Sequence, residues 1–411
     1  MRLQRVFIAE RGVMAPYLIS TYAAMGLETV VPFGSVSEHL PHIEQADFAV
    51  HLEEAGPPER LVDAANDAGC EAIHPGVGPL AEDARFAEQV GRANLLWIGS
   101  PHEQIQLLAD RWGTRQAALG ARVPVVPGGG MIYAAAQIPE AVATAVRLGM
   151  PVWLKDSEGV LAERVDSTDA LARRLSERLA AGQRLWLEQH VREARHFAVT
   201  VVGDRAGSLV SLGVRERARR RGGQLEIDEF PASIPPDLSI SLENAALSLA
   251  KARRFVGVGS VGFLTDPTGG AWSLGLRPRM QLGAVLNDAV LGLRLAEVQL
   301  RLAAGDNLGW TRQDLRANGV AIGLRVRATE LGEIDEFRLP TGLTAYSVGT
   351  EGPCTDDLLA MLVVSAPTRQ ACVVRAVDAL RKVVVRGLAT NLGDLTETLT
   401  TAGFWTAAPQ A

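Results

Sequence analysis

Five short apolar runs in the first hundred residues, RVFIAERG, ETVVPFGS, DFAVHL, EAIHPG and LLWIGS, alternate with helical segments such as APYLISTYAAMGL and PPERLVDAANDAG. Strands that alternate with helices pair in parallel, the helices serving as crossovers. A Rossmann-like unit is therefore predicted over residues 1–110.

Beyond Val123 the pattern changes. VPVVPGGG reads as a Pro/Gly linker rather than a phosphate loop, because no helix opening on GK[S/T] follows it. The helix PEAVATAVRLG, the strand PVWLKD, the helix DALARRLSERLAAG and the strands LWLEQHV and HFAVTVVGD then make an α+β insertion. After GSLVSLGVRER and the helical SLENAALSLAKAR, two strands are joined by Asp266-Pro267-Thr268-Gly269-Gly270, residues whose turn chemistry predicts a hairpin. A last unit begins near Asn318 and includes RQACVVRAVDALRKVV, apolar at helical spacing. The predicted class is α/β and α+β multidomain, divided as 1–110, 111–310 with a lid inserted at about 127–200, and 318–411.

A net charge of −6 opposes nucleic-acid binding, which needs clustered positive charge. Three cysteines, Cys70, Cys354 and Cys372, form no CxxC, so neither a disulfide framework nor a thiolate zinc site is predicted and a cytoplasmic location is expected. The first apolar run is cut by Glu10 and Arg11, too early for a secretion signal, and no later run reaches the length of about 18 residues that a membrane span needs. Lysine occurs only at Lys155, Lys251 and Lys382, so each lysine is a minority choice in this arginine-rich chain.

IAERG before a helix, EAIHPGVGPLAEDARFAEQV, WIGS and ADRWGTRQAALGARVPVVPG together resemble the N-terminal half of biotin carboxylase, the ATP-grasp subunit of acyl-CoA and pyruvate carboxylases. The likeness continues in order through PVWLKD, LEQHVREARHFAVTVVGD, DEFPA, LRLAAGDNL and VRGLATNLGDL, over nearly the whole chain. It implies a Rossmann-like pre-ATP-grasp domain, an ATP-grasp core with an inserted mobile lid, and a biotin-carboxylase C-terminal domain. It implies an activity as well: ATP and bicarbonate give carboxyphosphate, whose CO2 passes to biotin on a carrier protein. A homodimer is also implied.

Carried over residue by residue, the resemblance meets substitutions. The family's first metal glutamate, in a Phe-Glu-Phe-Leu strand, corresponds to Gly262, and its second, in Glu-Met-Asn-x-Arg-x-Gln-Val-Glu-His, to Gly275. The asparagine of that run is Arg277 and the glutamate that serves as bicarbonate base is Gly283. Glycine has no side chain with which to ligate Mg2+ or accept a proton, so no metal site is expected there. The glycine-rich lid loop is shortened to Lys155-Asp156-Ser157-Glu158-Gly159-Val160-Leu161, whose two acids would oppose a phosphate. A phosphate-contacting lysine and histidine correspond to Leu225 and Gly223, and another active-site glutamate to Ala198.

Other positions are kept. Lys155 matches the family's ATP lysine, Arg111 replaces a second one, and Glu188 matches the adenine-side hinge residue. Arg279, Gln281 and Arg325 match the residues that hold bicarbonate and the biotin enolate, and Glu82 and His196 also match. Each has a plainer alternative: Lys155 as a solvated strand end, Arg279 and Arg325 as partners of acids, Glu82 and His196 as hydrogen-bonding residues. RERARRRGG, Arg215 to Gly223, reads as a solvated mobile loop, with docking of a nucleotide or an acidic carrier domain as the sharper alternative. Without a Met-Lys-Met sequence the chain carries no covalent biotin.

Three functions are compatible with this pattern. The first is a biotin-carboxylase-like pseudoenzyme, a scaffold or regulatory subunit of an acyl-CoA carboxylase-type complex, partnered by itself or by a biotin carboxyl carrier, a carboxyltransferase or an active biotin carboxylase. The second is an active ATP-dependent biotin carboxylase or ATP-grasp ligase in which Arg277 and Arg111 replace metal charge. The third is a metal-independent nucleotide or anion sensor using Lys155, Glu188, Arg277 and Arg279, with ATP as the candidate ligand.

Overall fold

The computed structural model describes residues 3–401 and Phe404, apart from 36, 39, 53–56, 158, 160, 222, 223, 349, 350 and 355. The five apolar runs become β1 (Arg5–Ile8), β2 (Glu28–Phe33), β3 (Phe48–His51), β4 (Ala72–His74) and β5 (Leu96–Trp97). They form one parallel sheet in the order β3-β2-β1-β4-β5. Its crossovers are α1 (Ala15–Ala24), α2 (Pro41–Gln45), α3 (Glu59–Asp67) and α4 (Ala84–Arg92), the last capped by Asp83, whose carboxylate accepts from the Arg85 and Phe86 amides.

Two helices, α5 (His102–Ala109) and α6 (Arg111–Gly120), lead out of this unit. The next strands belong to a small antiparallel sheet, β7-β6-β8, made of β6 (Val152–Asp156), β7 (Ala162–Val165) and β8 (Leu185–Gln189). Two helices, α7 (Ile138–Leu148) and α8 (Thr168–Ala180), pack on it, burying Ala145, Leu171 and Leu175 against Val152, Leu154 and Leu187.

A larger sheet follows. It is built from β9 (Arg195–Gly203), β10 (Leu209–Arg221), β11 (Gln224–Phe230), β12 (Gly257–Thr265), β13 (Ala271–Arg277) and β14 (Val320–Arg327), with α9 (Pro236–Ala252), α10 (Val285–Leu291) and α11 (Leu295–Ala303) between them. Asp266-Pro267-Thr268-Gly269-Gly270 turns β12 into β13, the Asp266 carboxylate accepting from the Thr268 and Gly270 amides. The C-terminal part adds β15 (Glu333–Ile334), β16 (Glu336–Arg338), β17 (Thr344–Ser347), β18 (Gly352–Pro353), β19 (Leu358–Ala366), α12 (Arg369–Lys382), β20 (Val384–Arg386) and α13 (Leu392–Thr400). Eight strands join in the order β13-β12-β9-β10-β11-β14-β19-β17, so the middle and last parts of the chain share one sheet.

Apolar faces fix the layers. Leu242, Leu249 and Ala246 of α9 cover Val199, Val201 and Phe263 on one side of the sheet. On another, Leu18 and Tyr22 of α1 meet Leu286, Leu295 and Leu300, so the N-terminal unit shares a core with the large sheet. Burial of this kind, at about 25 cal/mol per Å2 of apolar surface, is what holds the units together. The three cysteines are buried free thiols.

One buried histidine sits in this frame at the end of β4. Nδ1 of His74 accepts from the Gly76 amide at 2.9 Å, which leaves Nε2 to carry the proton and donate to Gln299 Oε1 at 3.2 Å. Burial pushes the imidazole down to about 4, against the opposing pull of Gln299. A folded pKa below the unfolded 6.5 means that the unfolded chain binds more protons in acid, so this stability is complete above pH 6.5 and is lost toward pH 4. The loss is on the order of 3 kcal/mol. We expect melting temperatures measured from pH 7 to 4.5 to fall less steeply for His74→Gln than for the natural chain; equal slopes would remove His74 from the account.

Candidate functional site

The small sheet and the large one are joined through α6, which packs against β13, and through the linker that follows it. Linker residues tie the two sheets: Val125 bridges to Ser273 and Gly128 to Glu188. The first amide of α6, that of Arg111, donates to Ser157 O at 2.9 Å in the β6–β7 turn.

Three groups of site residues come together. In the first, Lys155 of β6 and Glu188 of β8, diagonal neighbours in the strand pair, are in direct ion-pair contact. The Glu188 carboxylate also accepts from Arg115 Nη1 at 3.1 Å and Trp186 Nε1 at 3.0 Å. Arg115, one turn along α6 from Arg111, donates to Val126 O at 2.7 Å and anchors the linker. No sequence expectation singled it out, although its i, i+4 spacing from Arg111 puts both on one face of the helix.

The second group converges on Glu82. Arg277 Nη1 lies 3.1 Å, Arg279 Nε 3.3 Å and Arg111 Nη2 3.9 Å from its carboxylate oxygens. Burial pushes the Glu82 carboxyl up, but Arg277, Arg279 and Arg111 outweigh it and hold it below its usual value. Three guanidiniums against one carboxylate leave a net positive charge. Burial first, then Arg277, push Arg111 down to about 10. Arg279 Nη1 also donates to Val77 O at 2.6 Å.

The third group is buried. Asp228 on β11, 0% exposed, lies 3.3 Å from Arg215 Nε and 2.6 Å from Arg325 Nη2. Arg215 Nη2 donates to Gln281 Oε1 at 3.0 Å, and Arg325 Nη1 to Leu225 O at 3.4 Å. Arg215, Gln281 and Arg325 are thus one network, with two cations on one anion. Here the charge run departs from expectation: RERARRR forms the second half of β10, not a solvated loop. Arg215 is 1% exposed and Arg219 pairs with Glu226 at 2.7 Å, so acids of β11 draw these arginines into the sheet. Gly223, at the end of that run, lies outside the described residues.

The glycines explain themselves locally. Gly262 and Gly275 are partners across the β12–β13 ladder. Gly275 has φ +99°, a conformation that side-chain-bearing residues rarely adopt. A Cβ on Gly283 would lie 2.8 Å from both Arg215 Nε and Asp228 Oδ2, so the ion pair fills the space a larger residue would occupy. Of the lid acids, Asp156 is buried and accepts from the Gly159 amide at 2.7 Å, capping its own turn rather than facing a phosphate; Glu158 lies outside the described residues. Leu225 and Ala198 are buried in the sheet, and His196 lies on β9.

These residues do not fit Mg2+. A hard dication takes several carboxylate oxygens, and here one carboxylate stands among three guanidiniums while Gly262 and Gly275 offer no side-chain oxygen.

A parallel N-terminal sheet, a small antiparallel sheet joined to a large one, and the charged clusters around Glu188 and Glu82 are the features of an ATP-grasp protein. Residues 2–105 match the family described as biotin carboxylase, N-terminal domain, and residues 110–311 the carbamoyl-phosphate synthase L chain, ATP binding domain. Biotin carboxylase 2 of Bacillus subtilis is 30% identical, over 97% of this chain and 96% of that protein. The biotin carboxylase domain dimer of Hydrogenobacter thermophilus 2-oxoglutarate carboxylase, solved with MgADP, ADP and bicarbonate, superposes with a TM-score of 0.91 at 26% identity, covering 100% of this chain and 96% of that one. A thermophilic 2-oxoglutarate carboxylase domain bound to ADP without magnesium, its phosphate tail disordered, gives a TM-score of 0.83 at 26% identity over 99% and 96%. This chain belongs to the biotin carboxylase family.

Proposed function

We propose that this chain is a non-catalytic member of its family, a scaffold or regulatory subunit of an acyl-CoA carboxylase-type complex, acting as a homodimer or beside active subunits. The observation that carries this reading is the filled space at Gly283: where the resemblance assigns a proton-accepting glutamate, a buried Arg215–Asp228 pair closes in on a glycine. Asp228 is no ready substitute: its carboxylate is 0% exposed and engaged by Arg215 and Arg325, so it is not open to a substrate. Loss of one well-placed stabilising group typically costs about 10²–10³-fold in rate, and here both metal-side acids and the base are replaced.

The test is ADP release by the purified chain with ATP, Mg2+, bicarbonate and free biotin. We expect no biotin-dependent release above the biotin-free control, together with co-purification of carboxylase subunits. Biotin-stimulated turnover would sink the reading and favour a second one, an active carboxylase with a remodelled site. That alternative is supported by the relatives' activity and by the retained Lys155, Glu188, Arg279, Gln281 and Arg325.

A further inference from the structure

We infer that the N-terminal unit holds a second binding site, in the crevice beyond the carboxyl ends of β1 and β4, for a small apolar ligand that carries an ammonium group and a carboxylate, an apolar α-amino acid being the simplest. None of the residues lining it belongs to the clusters around Glu188, Glu82 and Asp228. The inference therefore holds whether or not the chain is catalytic.

Topology places the crevice. In the order β3-β2-β1-β4-β5 the chain fills one side of β1 and then returns to fill the other. At such a reversal the loops after neighbouring strands part, and ligands of open α/β sheets enter the gap beyond the strand ends. A cavity of about 480 Å3 opens there, of the size that small-molecule sites have. Pro32, Pro75, Pro79 and Leu61 give it stiff apolar walls, and Glu10, Asp356 and Arg60 bring charge. Arg11 also lines it, but is not without a partner in the chain.

The sign of that charge selects the ligand. In a nucleotide-binding unit the amides of the loop after the first strand receive a phosphate. Here Glu10 takes that place: Oε1 accepts from the Gly12 amide at 2.8 Å and Oε2 from the Val77 amide at 2.9 Å. Glycines make room for it, since an added Cβ on Gly12 would lie 2.8 Å from Oε1 and one on Gly76 would run into Oε2. A phosphate is thus kept out by position and by charge. Asp356, from the loop before β19, adds a second acid, near enough that its charge joins burial in pushing the Glu10 carboxyl up. Neither acid is in ion-pair contact among the described residues. Two carboxylates brought together favour a cation, and an ammonium has three donors with which to serve both. Arg60, in the first turn of α3, is exposed and also in no ion pair among the described residues, so it is open to a carboxylate. Two acids and one open guanidinium between apolar walls match a zwitterion on an apolar body.

The experiment is calorimetric titration of the full chain with phenylalanine, leucine, phenethylamine, phenylpropionate and free biotin. Phenylalanine and leucine are expected to bind. Phenylpropionate, without the ammonium, should bind about tenfold more weakly than phenylalanine or worse, the worth of one charge-assisted hydrogen bond. Asp356→Asn, at an exposed residue, should weaken phenylalanine and phenethylamine alike without moving the ligand-free melting temperature. Arg60→Ala should weaken phenylalanine and leave phenethylamine unchanged. Glu10→Gln should abolish binding of both, and if its loss of the two amide contacts unfolds the loop, the Asp356 and Arg60 variants still decide. No binding of either amino acid, phenylpropionate binding as tightly as phenylalanine, or affinities indifferent to Asp356→Asn and Arg60→Ala would each overturn the inference. Biotin binding that is lost in Asp356→Asn would overturn it as well, by giving the crevice to the carrier's biotin.

Discussion

Asp228→Ala is expected to lower the unfolding free energy by about 3–5 kcal/mol, the usual cost of removing one partner from a buried ion pair. The carboxylate is 0% exposed, and its loss leaves the Arg215 and Arg325 guanidiniums, 1% and 8% exposed, without their counter-charge. Arg215→Met makes the contrasting case. It leaves Asp228 paired with Arg325 at 2.6 Å and relieves repulsion between two cations. Urea unfolding should therefore show Arg215→Met costing at least about 1 kcal/mol less than Asp228→Ala. Equal costs would mean that Asp228 stabilises only one of its two neighbours, and that the network carries no positive excess for it to neutralise.

How much of this was legible in the sequence depended on whether the signal was local. The alternating runs of the first hundred residues and the Asp-Pro-Thr-Gly-Gly turn report backbone geometry directly, and their strands fall where they were expected. The assignments at Gly262, Gly275 and Gly283 rest on the flanking residues, which set the register of the resemblance. What sits beside Gly283 was not legible, because Arg215 and Asp228 reach it from β10 and β11. RERARRR misled for the same reason. Read alone it is a block of like charge, whereas its compensating acids lie in the neighbouring strand, LEIDEF, which supplies Glu226 and Asp228. Acids two residues apart opposite an arginine-rich run are a strand-pairing signal, visible only once both segments are read together. Glu82 illustrates a further limit: its encirclement by Arg111 from α6 and by Arg277 and Arg279 from the end of β13 depends on segments distant in the chain.

Placing glutamate at the three glycines, where the resemblance assigns it, tests whether side chains alone separate this site from the family's. At Gly262 the nearest atom to an added Cβ is Leu274 Cβ at 3.4 Å, an ordinary contact, so Gly262→Glu should cost little. Gly275→Glu must adopt φ near +99° or move β13, which costs about 1–3 kcal/mol. Gly283→Glu meets Arg215 Nε and Asp228 Oδ2, both at 2.8 Å, and must displace one side of a buried ion pair, so it should be the most destabilising of the three, on the order of 3 kcal/mol or more. Melting temperatures of the single variants check that order. If the proposed non-catalytic reading holds, the triple variant, assayed for ADP release with Mg2+, bicarbonate and biotin, gains no biotin-dependent release over the natural chain, because the new carboxylates would arrive at a positive-φ backbone and in a space already filled. Turnover by a folded triple variant would show that only side chains had been lost and that the frame around them still fits the reaction. Inactivity with the predicted order of stabilities would show instead that the backbone at Gly275 and the packing at Gly283, not only the absent side chains, stand against the reaction.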